Sequence, residues 1–214
     1  MRLDSINRKP KSALRPASII ALSFAILIAV GTLLLSLPIA WVDGGVHPLD
    51  ALFTATSAVC VTGLVVVDTS TAFTMFGEMV ILLLIQMGGL GYMTIATAAA
   101  ILLGRELGVT QRIQLQELHG QYRLSGMIRL TRNTAIYALM IEAIGALILI
   151  TRFAFDPNIN GVRAIYYGIF HAVSAFCNAG FDLMGVIYGK FSGITHYAQD
   201  PVVSLTIAGL IIIG

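Results

Sequence analysis

Apolar residues run almost unbroken from 16 to 40, and then polar and apolar positions begin to alternate in blocks of unequal length. The first block is long enough for a membrane-spanning helix, which needs about 20 residues. Trp41 follows it at the place of an interfacial aromatic. After a polar turn, Val42 to Gly45, the order His47-Pro48-Leu49-Asp50 reads as a helix start, with proline in the first turn and an acid to oppose the macrodipole. The apolar run behind it, 51–59, is too short to span. The pattern therefore predicts a short helix that enters the membrane, breaks at Gly63 and leaves again at Asp68. Residues 73–103 form a second long apolar stretch, interrupted by Glu78, Gln86 and the glycines of Gln86-Met-Gly-Gly-Leu-Gly-Tyr-Met. A helix with a glycine-softened middle is expected there.

From 104 to 132 the chain turns polar and basic, and 133–155 is apolar again apart from Glu142. A second short apolar run covers Tyr166 to Phe181, followed by a polar loop with Asp182, Tyr188, Lys190, His196 and Asp200. The last apolar run starts after Pro201 and stops within about 14 residues, short of a span. The organisation expected is a basic cytosolic arm (1–15), a first helix–pore loop–helix unit (16–103), a cytosolic amphipathic connection (104–132) and a second such unit (133–214), truncated in its last helix. The predicted class is an all-α, multi-pass membrane protein.

Composition supports that class: 57% of the 214 residues are hydrophobic, 11% are charged, and the mean hydropathy is +0.87. The net charge of +2 is uninformative, but its distribution is not. Arg2, Arg8, Lys9, Lys11, Arg15, Arg105, Arg112, Arg123, Arg129 and Arg132 fall on one proposed side, and Arg152, Arg163 and Lys190 on the other. The excess of basic residues places the first group, and with it the N-terminus, in the cytosol of a cell membrane. Both re-entrant segments then dip in from outside, where Asp43, Asp50, Asp68, Asp156, Asp182 and Asp200 collect. Acids around an outer mouth attract cations.

The two short runs are copies. Phe53 to Leu64 set under Phe170 to Phe181 matches Phe, Ala, Ser, Ala, Cys and Gly without a gap. That is half of a twelve-residue window, at a separation of about 117 residues. With a longer loop allowed in the second copy, Ile212-Ile213-Gly214 falls where Gln86-Met87-Gly88 falls in the first. Non-helical backbone at membrane depth is tolerated only where protein buries it or where it lines a watery path. Glycine at 63 and 180 permits the positive φ that swings a carbonyl towards an axis. A dehydrated K⁺ is held by carbonyl oxygens of this kind, and the preceding short helices aim their partially negative C-termini at the same place.

Residues 55–69, Gly77 to Thr94 and His171 to Phe181 resemble the first two repeats of the Trk/Ktr/HKT potassium transporters, and most of all the Ktr membrane subunit. The resemblance covers essentially the whole chain. It implies four repeats around one pore, with filter strands here at Val61-Thr62-Gly63-Leu64 and Asn178-Ala179-Gly180-Phe181, whose backbone carbonyls hold the ion. Members with serine at the first glycine tend to pass Na⁺, so Gly63 favours K⁺. It also implies a homodimer on a cytosolic ring of nucleotide-binding regulatory subunits and a response to Na⁺. K⁺ is the transported ion, lipid is the solvent, and neither a resident cofactor nor nucleic acid is expected. Two repeats are half of such a ring, so the expectation is a fragment, or else two half-chains that assemble.

Other features invite plainer readings. Cys60 and Cys177 lack metal-site spacing and read as small core residues. The Gly88-Gly89-x-Gly91 run lacks the strand–turn–helix context of a nucleotide loop, so close packing or a hinge is expected. Glu78 and Glu142 lie in apolar helices, where an ionisable group is costly; pairing with a neighbouring helix is preferred, and a functional role stays open. His171 packs or hydrogen-bonds rather than binding metal. No nucleophile–base or metal cluster suggests an enzyme. The competing function is a secondary transporter of another solute that uses half-helix termini as its site.

Overall fold

The computed structural model describes residues 16–45, 47–91 and 124–214. Its described part is all-helical, without a strand ladder. Helix α1 (Pro16–Leu35) ends at Ser36, and a 3₁₀ turn over Pro38–Ala40 replaces its expected continuation to residue 40. Proline at 38 can neither donate a backbone bond nor let the preceding residue stay helical. Trp41 is then 5% exposed, wedged between Phe73 and His47 with ring centroids 4.5 Å from each. Its indole N–H donates to the Leu35 carbonyl at 2.7 Å. It is packed within the protein at the end of the first helix, at the place where the sequence suggested an interfacial aromatic.

Helix α2 (Pro48–Val59) is the first short helix, and α3 (Thr69–Ala72) turns the chain into α4 (Met75–Gly89). Thr74 caps α4 and donates to Ile39 O at 2.7 Å, joining the start of α4 to the end of the first pair. The expected helix over 73–103 stops at Gly89. Leu90 is its C-cap and Gly91 has φ +72°, a left-handed residue that ends a helix where mere softening was expected. Residues 92–103, and 104–123 of the amphipathic connection, lie outside the described residues.

Helix α5 (Leu124–Ala154) already includes the nine described residues before the expected boundary at 133, so the end of the basic connection is helical. Helix α6 (Gly161–Phe176) is the second short helix, capped by the Asn160 side chain, which accepts from Arg163 N–H at 2.9 Å. A short α7 (Gly185–Tyr188) and a loop lead to α8 (Pro201–Ile213), whose N-cap Asp200 also accepts from Arg152 of α5 at 2.5 Å. Helices α4 and α8 are thus each tied at their start to the outgoing end of the helix that opens their own half.

In the first half α2 packs between α1 and α4; in the second, α6 packs between α5 and α8. The halves meet where α4 lies on α6 and α3 on α7. Among the described residues one helical stretch, Arg132–Ala154, is by itself long and apolar enough to cross a membrane, and three further apolar stretches, Ala21–Leu35, Met75–Gly89 and Pro201–Ile213, are shorter. Large apolar side chains such as Ile26, Leu33, Leu83, Leu139, Leu147 and Leu205 are exposed along α1, α4, α5 and α8. Apolar surface on that scale suits a hydrocarbon or protein partner, not water.

Candidate functional site

Helices α2 and α6 end in the same way. Cys60 and Cys177 are their C-caps at φ/ψ of −85°/0° and −74°/−1°. One residue on, Val61 and Asn178 are left-handed, at φ +54° and +58°; two further on, Gly63 and Gly180 are left-handed, at φ +70° and +73°. Left-handed backbone alternates with the residue between, and a valine in that region is strained by roughly 1–3 kcal/mol.

The N–H groups of both turns point back to their own helices. Val61 donates to Ala58 O (3.3 Å) and Thr62 to Ser57 O (3.0 Å); Asn178 donates to Ala175 O (3.0 Å) and Ala179 to Ser174 O (2.7 Å). The carbonyls of 61, 62 and 63, and of 178, 179 and 180, accept no hydrogen bond among the described residues. The two turns also meet: a Cβ on Gly63 would lie 2.7 Å from the Ala179 carbonyl oxygen and 3.4 Å from Gly180 Cα. So the two segments singled out by the sequence, Val61, Thr62, Gly63, Leu64 and Asn178, Ala179, Gly180, Phe181, approach each other where Gly63 meets Ala179 and Gly180.

The glycines of the second helices back the turns. A Cβ on Gly88 would collide with the Val59 carbonyl, and one on Gly214 with the Phe176 carbonyl. Val59 and Phe176 are the matched last residues of the short helices, so pairing Gly214 with Gly88 holds in three dimensions as well as in sequence. Gly89 in turn packs on Cys177. Cys177 is buried as expected; Cys60 is exposed, because the chain turns away at the end of α2 and no helix among the described residues covers it.

Sequence reasoning named Val61, Asn178 and Asp68 without their structural roles and passed over Ser57 and Ser174. Val61 and Asn178 carry positive φ beside the glycines, and the signal was there in the asparagine, which tolerates that region. Ser57 and Ser174, matched in the alignment, each bond to their own turn: Ser57 Oγ lies 2.9 Å from Thr62 Oγ1, and Ser174 Oγ donates to Phe181 O at 2.7 Å. Asp68 reaches across the halves, accepting from Phe191 N–H at 2.8 Å as well as from Thr71 and Ser70. Beside it Ser70 Oγ accepts from Val186 N–H at 3.0 Å.

The acids that the sequence grouped on one side are more structural than that grouping suggested. Asp68 is 6% exposed and Asp156 8%. Burial raises both carboxyls, but hydrogen bonds outweigh it: from Phe191, Thr71 and Ser70 at Asp68, held below the usual range, and from Tyr188, Tyr197 and Asn158 at Asp156, held at about 2. Asp200 caps α8, leaving Asp43, Asp50 and Asp182 the more open acids. Glu142 accepts from Gln86 Nε2 at 2.9 and 3.2 Å, and Glu78 from the Tyr166 hydroxyl at 2.8 Å, each pairing with another helix. His171 is hydrogen-bonded within the protein, and no group of three potential metal ligands occurs among the described residues.

Residues 7–214 match the TrkH family, described as cation transport protein. The chain is 41% identical over 199 residues to the Ktr system potassium uptake protein B of Bacillus subtilis, covering 93% of this chain and 43% of that protein. It is 40% identical over 196 residues to the protein of the same name from Vibrio alginolyticus, covering 92% and 41%. It is also 40% identical over 181 residues to the potassium/sodium uptake protein NtpJ of Enterococcus hirae, covering 84% and 40%. The chain thus spans about two fifths of the length of these relatives. With the family match running through both short helices and both glycine turns, the chain belongs to the TrkH cation transport protein family.

Proposed function

We propose that this chain is the N-terminal part of a K⁺-translocating membrane subunit, and that residues 61–64 and 178–181 are two of the strands of its selectivity filter. The observation that carries the reading is the pair of matched turns, whose first two N–H groups are held by their own helices while six carbonyls accept no hydrogen bond among the described residues. A cation that sheds water needs several oxygen ligands, and carbonyl dipoles supply them without a full charge. The C-termini of α2 and α6 add partial negative charge immediately behind the turns. In this arrangement each half of the chain is a helix–pore loop–helix repeat, the N-terminus is cytosolic, and the turns are entered from outside.

Two strands supply half of a ring, and the other half comes from chain outside these 214 residues or from a second copy. Relatives named as parts of a Ktr system support a multi-subunit assembly. The homodimer and the cytosolic nucleotide-binding ring belong to the same proposal, with the basic segment 104–132 as the contact. Na⁺ is the competing ion to test, since one relative is named for both ions.

The test is K⁺ and Na⁺ uptake by the full-length protein in a bacterium lacking its own K⁺ uptake. The parent restores growth at low K⁺. Gly63→Ser pushes a side chain against the Ala179 carbonyl, 2.7 Å from the Cβ position, and lowers the preference for K⁺ over Na⁺. An unchanged preference would show that these turns are not the filter.

A further inference from the structure

The two turns share a backbone but differ in what holds their outer ends. In the first, Ser57 reaches only as far as the Thr62 side chain, and the Leu64 carbonyl accepts no hydrogen bond among the described residues. In the second, Ser174 donates to the carbonyl of Phe181, the residue matched to Leu64. One turn earlier on α6, His171 takes hold of the same segment. Its Nδ1 lies 2.7 Å from Tyr167 O and its Nε2 accepts from Leu183 N–H at 3.3 Å, so the ring is a neutral bridge between helix and strand. The first half has Thr54 at the matched position, which makes no such bridge. His171 and Ser174 are 1% and 2% exposed, three residues apart and hence on one face of α6.

Resting on the filter reading, we infer that Ser174, with His171 behind it, is a positioning residue that fixes the Phe181 carbonyl against its own helix, so the outermost ring of ion ligands is unequal. The first strand offers the carbonyls of Val61 to Leu64 without restraint at its outer end. The second offers Asn178, Ala179 and Gly180 freely, while Phe181 shares its oxygen with a hydroxyl. A carbonyl already accepting a hydrogen bond is a weaker and less mobile ligand, and a ring that cannot contract discriminates against the smaller ion. Ser174 thereby sets selectivity at the outer site without touching the ion.

The experiment compares Ser174→Ala, Ser57→Ala and Gly63→Ser in the full-length protein, reading K⁺ and Na⁺ uptake against membrane protein level. Ser174→Ala is expected to lower the K⁺/Na⁺ uptake ratio about fivefold, the size of one net hydrogen bond, and to raise the KM for K⁺ with maximal uptake unchanged. Ser57→Ala removes a bond to the Thr62 hydroxyl and none to a carbonyl, so its ratio falls clearly less than that of Ser174→Ala. If alanine leaves too little protein to assay, Ser174→Cys retains the bulk and shifts the ratio in the same direction. A parent ratio in Ser174→Ala, or an equal fall in both serine variants, overturns the inference while a changed Gly63→Ser ratio leaves the filter reading standing. An unchanged Gly63→Ser ratio removes both.

Discussion

The turn after α2 and the turn after α6 have nearly the same dihedral angles, yet their surroundings differ. At Gly63 a side chain would meet the carbonyl oxygen of the opposite strand at 2.7 Å; at Gly180 the nearest atom is 3.4 Å away. The first turn is crowded and loosely braced, the second roomier and held by His171 and Ser174. Backbone conformation has thus been kept while the means of fixing it have diverged, as expected if conformation is what the site needs.

The largest test of that contrast is alanine at each glycine. Both substitutions put a side chain into the left-handed region, at about 1–2 kcal/mol. Only Gly63→Ala adds a backbone clash, and overpacking of this kind costs roughly 1–3 kcal/mol more. Gly63→Ala should therefore abolish K⁺ uptake where Gly180→Ala retains part of it, and thermal unfolding in detergent should rank them the same way. Equal losses would show that the crowding at Gly63 is relieved without cost.

A smaller effect is expected outside the turns. Asp68 belongs to the first half but holds Phe191 of the second, and its matched position is Gly185, packed against the Asp68 carboxylate. Asp68→Ala removes hydrogen bonds to a charged group worth about 1.5–3 kcal/mol each and leaves the Phe191 N–H unpaired. Faster proteolysis within 185–191 and a lower unfolding temperature are the expected outcomes; cleavage at the parent rate would show that the loop stands without the first half.

The smallest effect is at Val61. Replacing it with the residue of the other turn, Val61→Asn, relieves left-handed strain in exchange for apolar packing against the core. Stability should hold or rise, with the K⁺/Na⁺ ratio unchanged; a loss above about 1 kcal/mol would mean that packing outweighs strain at this position.

The sequence alone determined that the chain is a series of helices, that two of them end at glycine turns, and that Gly63 matches Gly180 and Gly88 matches Gly214. These are local properties: apolar run length, proline and glycine conformational limits, and identity between copies. Boundaries were less legible, because Gly91 ends α4 and Asn160 starts α6 through dihedral angles and caps that hydropathy does not register. Only the tertiary structure decided that Trp41 is buried, that Asp68 and Asp156 serve hydrogen-bond networks, and that Ser174 holds Phe181 where Ser57 does not hold Leu64. The reason is that a hydrogen bond depends on angstroms and directions. Two serines at matched positions are the same letter in the sequence, and the atoms within their reach are set by the packing of every element around them.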